Sequence, residues 1–181
     1  MEQPMFEAFF NKLNEGNWCH IFAEGRVRQP WRYQEGEAIL GDFKPGVGRL
    51  IMRSDTLPII VPMYHIGMHR MAPEHPATER AASSLQKFNL RGEEAVVYFG
   101  EPIDVGDIVS KWKPRLGDSA QAPWSHKSTP DELACHAEIA NAIRSGVLEL
   151  ESQARMDYYG SRFLNSAYVS KEDDEESGES L

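Results

Sequence analysis

Trp18-Cys19-His20-Ile21-Phe22-Ala23-Glu24-Gly25-Arg26 is the stretch on which the fold turns. Its first five residues form a short run apolar on both faces, the pattern of a strand buried in a parallel sheet covered by helices. Glu24-Gly25 closes it. Upstream, Met5, Phe6, Phe9, Phe10 and Leu13 recur at helical spacing, and Gly16 is the expected stop. Downstream, residues 28–42 (RQPWRYQEGEAILGD) are rich in turn formers and charges and read as a loop. Gly46–Arg53 then reads as a helix with Val47, Leu50 and Ile51 on its inner face. Leu57–Pro62 is expected to be a second buried strand and Ala95–Phe99 a third, closed by Gly100, while Pro73 and Pro76 argue against any regular element within 68–92.

Residues 113–128 hold Pro114, Gly117, Pro123 and several serines, the composition of a linker. Beyond it Leu133, Ala137, Ala140, Val147, Leu150 and Ala154 are spaced by three, four or seven, one face of a long amphipathic helix. The expected organisation is an α/β domain over 1–112, a linker over 113–128, an amphipathic helix over 129–160 and a disordered acidic tail over 161–181. Three strands are few for a complete sheet of that class.

The chain has 181 residues with 41% hydrophobic and 10% aromatic content, enough for a globular core and too much for a disordered chain. No apolar run approaches the roughly 18 residues of a transmembrane helix. The net charge of −9 is concentrated at the end, where residues 171–181 hold six acids against one lysine. The remaining 22 acids and 18 bases leave no general basic footprint, which excludes a general nucleic-acid binder. The N-terminus, MEQPMFEAFF, is acidic and has the pattern of neither a signal peptide nor a transit peptide. Cys19 and Cys135 make neither a disulfide framework nor a metal cluster, and no histidine pair has convincing metal spacing. No metal or cofactor is therefore expected.

Three blocks carry candidate chemistry. In Phe22-Ala23-Glu24-Gly25-Arg26, glycine lets backbone approach a ligand and arginine pairs with phosphate oxygens, at a strand end where ligands of open α/β sheets bind. An ordinary turn reads the same way, with Glu24 a structural acid paired to Arg26 or Arg49. In Phe43-Lys44-Pro45-Gly46-Val47-Gly48-Arg49, two glycines open a helix beside Lys44 and Arg49, a phosphate cradle or a close-packed helix start. In Met63-Tyr64-His65-Ile66-Gly67-Met68, a histidine follows a buried strand, a position more often structural than ligating.

In order and spacing, Leu13–Val27, Phe43–Ile51 and Leu57–Met68 resemble the tafazzin-like members of the glycerophospholipid acyltransferase superfamily, over roughly residues 5–110 and loosely the helix after 130. That resemblance implies part of an acyltransferase-like domain, with a mostly parallel sheet covered by helices. It implies transfer of acyl chains between phospholipids and lysophospholipids, cardiolipin included, without coenzyme A and on mitochondrial membranes. It maps the family's FPEG block onto Phe22, Ala23, Glu24 and Gly25, with Arg26 as the neighbouring cation, as contacts to acceptor phosphate and glycerol. Lys44 and Arg49 are further substrate-binding candidates.

Ala23 stands where the family has proline, and the loop over 28–42 is longer than the family leads one to expect. The family's catalytic HxxxxD pair, a base for the acceptor hydroxyl and its orienting acid, lies upstream of the FPEG block, and none of the 21 residues before Phe22 supplies it. No catalytic residue is therefore assigned, and this chain is expected to bind without transferring acyl groups. The alternative is a non-catalytic membrane-surface or scaffold protein that keeps the lipid groove. His126-Lys127-Ser128-Thr129-Pro130-Asp131 matches HxxxxD by letter but lies about 100 residues too late. It reads instead as a helix start, with Thr129 as N-cap, Pro130 first in the helix and Glu132 completing a capping box.

Overall fold

A computed structural model of the chain describes residues 4–27, 40–71, 94–118, 124 and 126–175. Its elements are α1 (Pro4–Asn14), α2 (Gly46–Arg53), β1 (Met63–Ile66), α3 (Met68–Met71), β2 (Val96–Phe99), α4 (Gly106–Leu116) and α5 (Pro130–Glu175). The chain divides into two compact units, Met1–Pro62 with Gly100–Leu148, and Met63–Phe99 with Glu149–Leu181.

The first unit is helical. In α2 the expected inner face forms, with Val47, Leu50, Ile51 and Met52 all buried. It packs with Val105 and Trp112 and with Cys135, Ile139, Ala140 and Ile143 of α5 into one core. A Cβ on Gly48 would overlap the His136 backbone, so glycine is what lets α2 approach α5 this closely. Burial pushes the Cys135 thiol up to about 11. The start of α5 carries the expected reciprocal cap: the Thr129 N–H donates to Glu132 Oε2 at 2.6 Å, and the Glu132 N–H donates to Thr129 Oγ1 at 3.2 Å. From α1, Phe6 stacks on Trp124 with centroids 5.9 Å apart, and the Arg53 guanidinium lies 4.1 Å from the same indole.

In the second unit β1 and β2 pair antiparallel, Met63 opposite Phe99 and Ile66 opposite Val96. Gly67 follows β1 at φ +95°, against the Glu94 carbonyl, where a side chain would be both strained and overlapping. Ile66, Ala154 and Tyr158 form this unit's core, with Tyr64, Val96 and Tyr98 packed on it. Glu151, 3% exposed, accepts hydrogen bonds from the Tyr64 hydroxyl at 3.1 Å and from Arg155 Nε at 3.0 Å. Burial, reinforced by that carboxylate, pushes the Tyr64 hydroxyl well above the usual phenol range.

The strand expectations need correction. Among the described residues the sheet has two strands, antiparallel rather than parallel. Trp18–Phe22 is not a strand: Trp18 is 85% and Phe22 67% exposed. Leu57–Pro62 contributes a single bridge, Ile60 to Ile103, and its Ile59 is 82% exposed. A run apolar on both faces becomes a buried strand only where neighbours supply a ladder and a cover. Among the described residues Trp18–Phe22 has no ladder partner, and Leu57–Pro62 meets the chain around Ile103 only at that isolated bridge. Val96–Phe99 does form a strand, yet Val97 and Phe99 turn outward, so one face rather than two is covered.

The loop expected over 28–42 lies outside the described residues except at its end, and the irregular stretch over 68–92 does so beyond Met71. Residues 113–116 continue α4, with Pro114 inside the helix. The α5 helix runs to Glu175, into the stretch whose composition predicts disorder, and 176–181 lie outside the described residues. Extending an established helix adds one hydrogen bond per residue without a new nucleation step, and glutamate is a good helix former.

Candidate functional site

The block Phe22–Arg26 is a tight turn, with the Gly25 N–H donating to the Phe22 carbonyl at 3.0 Å. Gly25 sits at φ +69°, a conformation that favours glycine. Two bonds fasten this turn to the segment before α2. The Lys44 N–H donates to the Ala23 carbonyl at 2.8 Å, and the Gly41 N–H donates to Glu24 Oε2 at 2.7 Å. That segment is fastened in turn by Arg144 of α5, which donates to the Gly41 carbonyl at 2.8 Å and to the Leu40 carbonyl at 3.3 Å. Glu24 thus pairs with a backbone N–H that the sequence reading did not weigh, and it orders the turn.

Of the six candidate residues, five converge. Phe22, Glu24, Gly25 and Arg26 share the turn. The Lys44 side chain runs alongside it, its Cγ 3.6 Å from where a Gly25 Cβ would stand. Phe22 and Arg26 are exposed, and so is Lys44. The sixth, Arg49, lies on α2 with its guanidinium 5.0 Å from the Trp124 ring centre. It lines a cleft of about 140 Å³ together with Trp124, Ser128 and His136. His136 was missed by sequence reasoning, because a histidine on a helix face carries no signal of what will pack over it. Burial, with Arg49 and Arg53 nearby, lowers its imidazole to about 4, against the opposing pull of Glu132.

Chemically, the turn offers two exposed cations, Arg26 and Lys44, beside backbone that glycine leaves approachable. This suits an anion more than it suits activation of a nucleophile. His126 Nε2 lies 3.6 Å from Glu132, whose carboxylate also caps α5.

No protein-family model matches the chain. Curated relatives do. A tafazzin of Drosophila melanogaster is 33% identical over 132 residues, 72% of this chain and 30% of that protein. A tafazzin of Dictyostelium discoideum is 40% identical over 67 residues, 35% of this chain and 21% of its own length. An N-acylphosphatidylethanolamine synthase of Arabidopsis thaliana is 32% identical over 103 residues, 57% of this chain and 32% of the synthase. The chain spans about a third or less of each of these relatives. Over the stretch it shares with them, this chain is tafazzin-like.

Proposed function

We propose that the chain is the acceptor-binding part of a phospholipid–lysophospholipid transacylase, remodelling acyl chains with cardiolipin among its substrates. Phe22, Glu24, Gly25, Arg26 and Lys44 hold the acceptor's phosphate and glycerol region, with Arg49 as a neighbouring cation. The observation that carries this reading is the junction of two separate family-like blocks. The Ala23–Lys44 and Glu24–Gly41 hydrogen bonds draw the turn and the start of α2 into one surface. By resemblance, contact with lipid is at the surface of a mitochondrial membrane. Among the described residues no helix is long and apolar enough to cross one.

In this proposal the turn binds the acceptor and carries no catalytic residue of its own, so binding and chemistry separate. The test is radiolabelled acyl exchange between phosphatidylcholine and a lysolipid. The 181-residue chain alone should show binding without exchange. The same chain extended upstream by a segment bearing the histidine and aspartate should exchange. Robust exchange by the chain alone would overturn the proposed division of labour. Lipid binding with no exchange in either form would favour a non-catalytic membrane-surface scaffold.

A further inference from the structure

Arg144 follows Ile143, which α5 buries in the core of the first unit. Among the described residues every polar contact of Arg144 falls on residues 40–42: the Gly41 carbonyl at 2.8 Å, the Leu40 carbonyl at 3.3 Å and the Asp42 carboxylate at 3.8 Å. Asp42 is fully exposed, so its pairing contributes little. Leu40 and Gly41 are buried, and a buried carbonyl left without a partner is costly. The forked guanidinium supplies a separate N–H to each of them. The Leu40 carbonyl and the Gly41 N–H belong to one peptide unit, which is planar and, being trans, points the two groups in opposite directions. Arg144 holds the oxygen, and the N–H on the far side donates to Glu24 Oε2 at 2.7 Å. A donor on that oxygen also polarises the peptide and strengthens the bond its N–H makes. The relay from Arg144 through the Leu40–Gly41 peptide to Glu24 thus ends in the turn whose next residues are Gly25 and Arg26.

We propose that Arg144 is a positioning residue for acceptor binding, an inference that rests on the reading of the turn over 22–26 given above. Arg144 touches no lipid. By gripping the Leu40 and Gly41 carbonyls it fixes the direction of the Gly41 N–H, and through that bond the place of the Glu24 side chain and of Arg26 two residues on. The Lys44 N–H, bonded to the Ala23 carbonyl at 2.8 Å, belongs to the same tethered segment. Arg26 and Lys44 therefore hold their spacing before the acceptor phosphate arrives, and less ordering remains to be done on binding.

The test joins co-sedimentation of the full chain with lysophospholipid-containing vesicles to NMR of the backbone amides without lipid. Arg144→Met keeps an apolar stem and removes every donor, and it should weaken binding about three- to tenfold, part of what one charge-assisted hydrogen bond contributes. Arg144→Lys keeps the charge but presents a single head to two carbonyls, so its binding should fall between Arg144→Met and wild type. Lys113→Ala, which removes an exposed cation of α4, should bind as wild type does. In Glu24→Ala the relay is already cut, so adding Arg144→Met should weaken binding no further while still lowering the urea midpoint. Without lipid, Arg144→Met should shift the amides of Glu24, Gly25, Arg26 and Gly41 together and leave those of α4 in place. Turn amides unmoved by Arg144→Met, Arg144→Lys equal to wild type in binding, or an undiminished effect in the Glu24→Ala background would each overturn the proposal. If instead Arg26→Ala leaves vesicle binding unchanged, the acceptor-binding reading of the turn fails, while the amide shifts still decide whether Arg144 positions it.

Discussion

Gly48 lies directly against the backbone carbonyl of His136, where α2 crosses α5. The adjoining atoms are main chain and cannot swing aside as a side chain would. Gly48→Ala should therefore force the two helices apart and destabilise the chain by about 1–3 kcal/mol or more. Gly16→Ala is an informative comparison. Gly16 has φ +79° but nothing within 4 Å of an added Cβ, so only backbone strain of about 1 kcal/mol applies. Urea denaturation of the two variants should rank Gly48→Ala as the more damaging.

Thr129→Ala removes one half of the reciprocal cap at the start of α5 and should lower stability by about 1 kcal/mol. His126→Ala should stay within about 0.5 kcal/mol of wild type, because its pairing with Glu132 is partly exposed and 3.6 Å long. Thermal unfolding by circular dichroism measures both. A large loss on removing His126, with lipid binding also lost, would reinstate the late HxxxxD match as more than a helix start.

His136 gives the fold an acid sensitivity of definite sign. Its folded pKa, about 4, lies below the ordinary 6.5, so between those values the unfolded chain binds more protons. The stability associated with neutral His136 is fully present above about pH 6.5 and is lost as pH falls towards 4, by at most on the order of 3 kcal/mol. His136→Gln cannot titrate. Its stability should change less than wild type between pH 7 and 4, and unfolding free energies measured at stepped pH would reveal equal slopes if this account were wrong.

Arg26→Ala should weaken binding to lysophospholipid-containing vesicles by about tenfold, the loss expected of one charge-assisted contact. Lys113→Ala removes an exposed cation of α4 and should have little effect. Co-sedimentation with vesicles at fixed ionic strength makes the comparison. Equal effects of the two substitutions would mean that general charge, rather than the turn, attracts the lipid.

What was legible in the sequence was local. The 3.6-residue period of Val47, Leu50 and Ile51 specified α2 and its buried face, and Thr129-Pro130 with Glu132 specified the start of α5. The turn at Gly25 and the stop at Gly16 announced themselves through glycine, and both have positive φ. Sheet membership was not legible, because an apolar run such as Trp18–Phe22 does not encode whether another strand lies beside it. Nor did spacing reveal the long-range anchors of the candidate site. Arg144 reaches the Gly41 carbonyl from 103 positions away, and Trp124, in a serine- and proline-rich stretch, receives Arg49, Arg53 and Phe6.

The two thiols differ in a way that turns the chain into its own clock. Cys19 is half-buried in an irregular segment, whereas Cys135 is 0% exposed in the core of the first unit, with its thiol shifted up to about 11. Thiolate is the reacting form, so an alkylating reagent meets one competent site on the native molecule and a second only when the core opens. Under conditions where reclosing outpaces alkylation, the rate of the second modification divided by that of a free thiol gives the opening equilibrium of the first unit. No probe need be engineered in, and the opening of that helical core is read at one buried position, Cys135.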